Sequence, residues 1–242
     1  NSEKLENDIK KNKDHLLKTE SYLKNILLDV PNIPLDDVPI GKDSSDNKII
    51  KKWGKPDITL KNDHSDLFSV NRLLDFESSV KISKSRFSVL KGKLSRLSRS
   101  LISYCLNYHV ENNGYTEYYI PYIVNKNSLI GTGQLPKFKE DLFKIDGEEL
   151  YLIPTAEVPL TNLYRDMIIK SSSLPIKLVS HTPCFRSEAG SYGKDTRGII
   201  RQHQFEKVEV VQIVSPKESL DALEEITLHA EQLLENLEIP YQ

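Results

Sequence analysis

An α+β body, an antiparallel β-sheet flanked by helices and preceded by one heptad-patterned helix, is the fold class this sequence predicts. Three observations carry that reading. A heptad stripe occupies residues 1–30. Two β-branched runs, 176–188 and 204–214, flank a polar glycine-containing loop. Apolar residues recur at helical spacing over 86–110 and again over 220–237, and a domain that mixes such segments without regular βαβ alternation packs helices on an antiparallel sheet.

The heptad seam is Leu5, Ile9, Leu16, Leu23, Ile26 and Val30, with Asn12 and Thr19 completing it. Its spacing alternates four and three, so it predicts a helix that meets a partner helix; the alternative is a surface helix lying on a globular body. Pro31 and Pro34 end it, since proline removes a backbone donor and clashes with the preceding turn. Residues 32–63 carry Pro39-Ile40-Gly41, Asp43-Ser44-Ser45-Asp46-Asn47, Trp53-Gly54 and Lys55-Pro56, and read as a linker. Phe87, Leu90, Leu94, Leu97, Leu101 and Cys105 predict a helix over 86–110, closed by Asn113-Gly114 with Gly114 as a left-handed cap.

The aromatic and β-branched run 115–124 predicts a strand, and Pro121 within it predicts an edge or an interface. Leu142–Ile145 and Glu149–Ile153 predict a hairpin around Asp146-Gly147. A helix over 154–169 follows, with Thr155 as N-cap. After the long hairpin, Ser215-Pro216-Lys217-Glu218 reads as a capping box that opens a last helix, with Leu220, Leu223, Ile226, Ala230, Leu233 and Leu237 as its buried stripe.

Composition bounds the function. The 242 residues hold 33 Lys+Arg against 35 Asp+Glu, a formal net charge of -2. That balance excludes a polybasic tail protein, though a local basic face still binds phosphate. No apolar run is long enough to cross a membrane and the polar N-terminus carries no secretory signal, so a cytoplasmic location is expected. Cys105 and Cys184 are far apart, and no His or Cys spacing fits zinc.

The 176–214 hairpin is the candidate site. Strand alternation places Arg186 and Glu188 on one face, and Phe205, Lys207 and Glu209 on one face of the second strand, opposite Val208, Val210 and Val214. One side should therefore be apolar and buried. The other offers a guanidinium for phosphate oxygens and a ring for a base; the bland alternative is an exposed face of cross-strand ion pairs. The connecting loop adds Lys194, Arg197, Arg201 and His203 against Asp195. Neither Gly-x-x-x-x-Gly-Lys-Ser/Thr nor Gly-x-Gly-x-x-Gly occurs, so a nucleotide would be held on a sheet. Thr155-Ala156-Glu157 at a helix start could meet a substrate amino group, or serve only to cap the helix.

These segments carry a family resemblance. His181-Thr182-Pro183-Cys184-Phe185-Arg186-Ser187-Glu188-Ala189-Gly190, continuing through Arg201-Gln202-His203-Gln204-Phe205-Glu206-Lys207-Val208-Glu209, resembles motif 2 of bacterial-type seryl-tRNA synthetase, a class II aminoacyl-tRNA synthetase. Thr132-Gly133-Gln134-Leu135-Pro136-Lys137-Phe138 and Ile153-Pro154-Thr155-Ala156-Glu157-Val158-Pro159-Leu160-Thr161-Asn162 resemble it too, and 114–124 looks like motif 1, whose proline, here Pro121, lies at the dimer interface. The resemblance covers the chain from about residue 20 to 242.

It implies a coiled-coil tRNA-binding arm at 1–31, a linker at 32–63 and a partial class II catalytic domain at 64–242. It implies activation of serine by ATP and transfer to tRNA(Ser), and to tRNA(Sec), by a homodimer. Arg186 would hold the α-phosphate and touch the serine. Ser187 would bind nucleotide, Glu188 would lie near the adenine amino group, Arg201 would assist at the phosphates, the Gln202 backbone would contact nucleotide, and Phe205 would stack the adenine. Thr155, Ala156, Glu157 and Glu209 would line the serine site. Mg2+ is implied, with its ligands mainly beyond residue 242 and none within this chain.

The family's third motif, with its phosphate-binding arginine, has no counterpart, since no Arg follows Arg201. The sequence is therefore expected to be the middle of a longer enzyme, inactive alone and with an uncovered sheet edge. Two other readings compete: an amino acid:carrier-protein ligase, against which the heptad arm and the two lone cysteines count, and a tRNA-binding module, against which Arg186, Glu188, Phe205 and Glu209 argue.

Overall fold

The structure is a computed structural model and describes residues 2–56, 63–70, 72–189 and 198–242. Helix α1 (Ser2–Asp29) buries none of its residues, and its stripe is open, with Leu5 61% and Leu16 56% exposed. Residues 29–52 are exposed throughout. The body then runs through α2 (His64–Val70), β1 (Leu74–Asp75), α3 (Phe76–Ile82), β2 (Val89–Leu90) and α4 (Gly92–Asn113). It continues through β3 (Thr116–Glu117), β4 (Ile123–Asn125), α5 (Lys126–Gly131), β5 (Leu150–Leu152) and α6 (Glu157–Asn162). The hairpin β6 (Ile176–Phe185) and β7 (Gln204–Ile213) and helix α7 (Ser219–Asn236) complete it.

The principal sheet has the order β3-β6-β7. Strands β6 and β7 are antiparallel in unbroken register from Ile176↔Ile213 to Phe185↔Gln204, but β3 joins β6 in parallel, so the sheet is mixed. The proline within β6 fits the ladder. Arg186 N–H donates to His203 O on the β7 side, whereas Phe185 N–H donates to Ile153 O on the other. Alternation therefore turns the missing donor of Pro183 away from β7, where it removes no rung.

Pro121 splits the run read as one strand. Its first part pairs with β6, and its second, β4, pairs antiparallel with β5 in a separate sheet. Ile153 joins the two sheets: its N–H donates to Tyr122 O and its carbonyl accepts from Phe185 N–H, both at 2.9 Å. Ile153, Leu129 and Val158 are fully buried with Val124, Leu135, Leu142 and Tyr151; Leu178 and Leu160 anchor a second cluster with Ile120 and Ala156. Each fully buried Leu, Ile or Val among them contributes about 1.5–3 kcal/mol relative to exposure. This joint delivers residues 154–157 beside the end of β6.

Several sequence expectations are corrected. The helix expected over 86–110 begins at Gly92, because Arg86 has φ 62, Gly92 φ 52, and Val89–Leu90 pair with β1. Its C-terminal cap is Gly114 at φ 70, as expected. The helix expected over 154–169 stops at Asn162; it is broken beyond by turns that include Asp166 at φ 59. Ala156 holds its N-cap position, although Thr155 Oγ1 does accept from Glu157 N–H at 3.2 Å. Around Asp146-Gly147 the chain does turn, with Gly147 at φ 75, but the first hairpin strand is only a bridge, Lys144↔Tyr151. In the capping box Ser215 Oγ donates to the Glu218 carboxylate and not to backbone, and a 3₁₀ turn at Pro216–Glu218 precedes α7.

The stripe expected on α7 is misplaced. Leu220 and Leu223 are 56% and 52% exposed, and the only buried residue of α7 is His229. Polar contacts set its docking face: Lys177 and Gln212 meet Glu225, Tyr115 meets His229, and Tyr108 meets Gln232. Nor is the Val208, Val210 and Val214 side of β7 buried; it is half-exposed, as is the opposite side. There Val211 and Ile213, on the Phe205 face, pack against the Leu160–Leu178 cluster.

Candidate functional site

Strand register brings Thr182 opposite Lys207 and Ser180 opposite Glu209, while the Ile153 joint sets Thr155 above them. The three polar side chains close on one another. Lys207 Nζ donates to Thr155 Oγ1 at 2.7 Å, Thr155 Oγ1 donates to Glu209 Oε2 at 2.7 Å, and Lys207 pairs with the Glu209 carboxylate. Thr155 is 4% exposed. A buried hydroxyl that both accepts and donates is fully used and fixed in direction. Glu157 projects from the start of α6 on the exposed rim. Partial desolvation, then the Glu209 charge, raise its carboxyl above the ordinary value, while Lys207 opposes them.

The phosphate-binding candidates stand beside this cluster. Arg186 lies beyond β6, not within it: its backbone is held by His203 O, its Nε donates to Pro154 O at 3.2 Å, and its guanidinium lies 5.1 Å from the centre of the Phe205 ring. Glu188 also leaves the strand, at φ 53, so the expectation of a shared strand face for Arg186 and Glu188 is corrected. Glu188 Oε2 instead accepts from Arg201 at 2.7 Å. Ser187 is tied to the turn before Leu142: its N–H donates to Asp141 O and its hydroxyl to Glu140 O. Ala189 N–H donates to the Asp141 carboxylate.

Thr155, Glu157, Arg186, Glu188, Arg201 and Lys207 line one cavity of about 410 Å³, with Gln134, Phe138 and Asp141. Ala156 is fully buried beneath it. Phe205 and Gln202 face a different, larger cavity of about 570 Å³ between α4 and the hairpin. That space lacks the Thr155 cluster, so the convergent polar chemistry belongs to the smaller one. His203 is not a free loop cation. It is 7% exposed, its Nδ1 meets Arg186 O at 2.9 Å, and its ring packs near Phe87 and Phe143. Lys194, Asp195 and Arg197 lie outside the described residues. Pro121 lies between β3 and β4, beside Tyr119, which is 90% exposed.

Sequence reasoning gave no role to Lys207, Asp141 or the Pro154 carbonyl. For Lys207 the signal was present, since it shares a strand face with Glu209 two positions away. For the other two it was not, because backbone partners across the fold leave no side-chain pattern.

Residues 138–242 match the tRNA synthetase class II core domain (G, H, P, S and T). A serine--tRNA ligase of Francisella philomiragia subsp. philomiragia is 53% identical over 228 residues, which are 92% of this chain and 54% of that protein. The chain is thus similar to seryl-tRNA synthetases over nearly all of its length. The fold of a seryl-tRNA synthetase from Pyrococcus horikoshii, complexed with ATP, agrees at a TM-score of 0.88 and 35% identity, covering 95% of this chain and 56% of that one. A cytoplasmic serine-tRNA ligase from Naegleria fowleri, in complex with AMP, agrees at 0.86 and 30% identity, covering 96% and 56%. The chain thus spans about half the length of the relatives it matches. The fold class expected from the sequence, a class II synthetase sheet flanked by helices, holds, with β3 parallel to its neighbour. No described helix is long and apolar enough to cross a membrane.

Proposed function

We propose that this chain carries the serine-activating site of a seryl-tRNA synthetase, which forms seryl-adenylate from serine and ATP and transfers serine to tRNA(Ser), and to tRNA(Sec). The observation that carries this reading is one cavity of about 410 Å³ in which Thr155, Lys207 and Glu157 meet Arg186, Glu188 and Arg201. One half suits a small polar amino acid; the other suits a polyphosphate.

The serine carboxylate attacks the α-phosphorus, the bond to the bridging oxygen breaks, and pyrophosphate leaves. Such in-line displacement needs positioning and neutralisation of charge more than acid–base catalysis. Arg186, held by Pro154 O, brings its guanidinium to the α-phosphate and the serine carboxylate. Arg201 serves the phosphates, with Glu188 aligning it and reaching the adenine amino group. Ser187 borders the nucleotide, while the Gln202 backbone and Phe205, which line the neighbouring 570 Å³ cavity, meet its adenine end, Phe205 by stacking. Glu157 and Glu209 take the serine ammonium group, and Thr155, over Ala156, orients the hydroxyl. Lys207 pairs with Glu209 beside Glu157. Selectivity against alanine then follows from buried polar groups left unpaired, which reject a missing hydroxyl far better than an apolar pocket could.

Mg2+ accompanies the ATP; among the described residues no three His, Cys, Asp or Glu side chains cluster, so we assign it no ligand there. In the same reading residues 1–31 form a tRNA-binding coiled-coil arm, 32–63 a linker and 64–242 part of the catalytic domain; the Pro121 segment meets a second copy in a cytoplasmic homodimer. The test is ATP–pyrophosphate exchange by the protein at its natural length, with serine compared against threonine, alanine and glycine. Exchange driven by serine alone is expected. No exchange, or equal exchange with alanine, overturns the assignment.

A further inference from the structure

The first described residue after α1 that is not exposed is Trp53. It docks on Tyr241, in the segment that follows α7. Trp53 N–H donates to Tyr241 O at 3.0 Å and Tyr241 N–H to Trp53 O at 3.1 Å, forming an isolated antiparallel bridge. The two rings stack, 13° from parallel with centroids 6.1 Å apart. Lys51 Nζ reaches Glu231 Oε2 at 2.5 Å and Glu235 at 3.9 Å, and Tyr241 Oη donates to Glu235 at 2.8 Å. Gly54 closes the bridge at φ 70, where a Cβ would lie 3.2 Å from the Pro240 backbone.

We propose that the Lys51–Trp53–Tyr241 bridge is a positioning anchor: it fixes where the α1 arm leaves the body, and so sets the presentation of tRNA without touching the chemistry of serine activation. The tRNA half of this statement rests on the function proposed above; the anchoring half does not. Residues 29–52 are exposed throughout, so nothing buried steadies the chain before this point. Two backbone bonds, a ring stack and a lysine between two carboxylates form a compact attachment on one helix end. None of these residues lines the 410 Å³ cavity. A defect here should therefore separate tRNA use from adenylate formation.

The experiment uses the protein at its natural length. Nitroxide labels on Asp14→Cys and Asp221→Cys, in a Cys105→Ser background, report the distance from arm to body, and steady-state charging and exchange are measured in parallel on unlabelled protein. W53A is expected to broaden the distance distribution. It should raise KM for tRNA(Ser) by about 5–10-fold, equivalent to roughly 1–1.4 kcal/mol, with serine-dependent exchange within about twofold of the parent. W53F should restore most of both. K51E should act as W53A does, and K51E with E231K should recover. An unchanged distribution in both W53A and K51E overturns the anchor, even if the parent shows no exchange. A broadened distribution with unchanged tRNA KM overturns its role in tRNA presentation. Parallel loss of exchange and charging in K51E, unrepaired by E231K, marks a stability element and overturns the proposal.

Discussion

The guanidinium of Arg186 lies 5.1 Å from the centre of the Phe205 ring. Strand register accounts for the pairing. Cys184 stands opposite Phe205, so Arg186, two residues further on, reaches back over the same face. The ring's negative face supports the charge, worth about 0.5–1 kcal/mol where water still reaches the pair. The Nε bond to Pro154 O fixes the plane of the guanidinium. The positive group is thus held in place before any phosphate arrives, which avoids reorganisation during the reaction.

Arg186→Lys keeps the charge but loses the fork and the bond to Pro154 O. We expect serine-dependent exchange to fall about 10²–10³-fold in kcat/KM, the size of loss seen when one preorganised donor is removed. Phe205→Leu should mainly raise KM for ATP, by about 5–100-fold, as a stacked base is worth about 1–3 kcal/mol. Equal activity of Arg186→Lys and the parent would falsify the phosphate role.

Thr155 stands between a cation and an anion. Thr155→Val removes one acceptor from Lys207 Nζ and one donor from Glu209, leaving them only each other. A lost partner in such a setting costs about 1–3 kcal/mol, readable as a lower urea midpoint at pH 7. Lys207→Met instead leaves Glu209 and Glu157 as two unscreened carboxylates, which raises the Glu157 carboxyl further. The pH below which serine binding weakens should then move upward, seen in KM for serine measured from pH 5.5 to 8. A profile that does not move would remove Lys207 from the site.

Gly114 and Gly54 separate two causes of glycine dependence. Both hold φ 70, but a Cβ at Gly114 meets nothing within 4 Å, whereas at Gly54 it meets Pro240 at 3.2 Å. Gly114→Ala should cost about 1–2 kcal/mol from the left-handed backbone alone, and Gly114→Asn less. Gly54→Ala should cost more, because the Pro240 backbone must also shift. Equal unfolding midpoints for the two alanine variants would contradict this.

The motif segments were legible because their spacing is local. Strand alternation alone grouped Phe205, Lys207 and Glu209, and the structure keeps them on one face. Its failures share a cause. Leu220 and Leu223 looked like a buried stripe, yet α7 docks through Glu225, His229 and Gln232, whose partners Lys177, Tyr115, Gln212 and Tyr108 come from distant elements. Helical periodicity cannot foresee a polar docking face. Glu188 and Arg86 left their expected elements at positive φ, a backbone state that non-glycine residues do not advertise. His203, expected in the open loop, is instead buried with its Nδ1 at Arg186 O.

The α4–α7 contact gives a dependence on pH with a definite sign. His109 and His229 are 4% and 6% exposed. Burial, then the charge of His229, lowers His109 to about 4, and burial lowers His229 against the pull of Glu225. Asn113 Nδ2 donates to His109 Nδ1 at 3.2 Å, Gln212 donates to Tyr115 Oη, and that hydroxyl meets His229 Nδ1 at 3.1 Å. Burial thus disfavours the protonated form of both rings in the fold. The unfolded chain takes up these protons near pH 6.5, so between pH 6.5 and about 4 it binds more protons than the folded one. Stability should be flat with respect to these groups above pH 6.5 and fall below it, by up to about 1.4 kcal/mol per pH unit for each histidine. Below about 4 the His109 contribution levels off. Urea midpoints at pH 7.5 and 5.0 measure the fall, and H109Q with H229Q should remove much of it. An identical fall in that double variant would place the acid sensitivity in other groups.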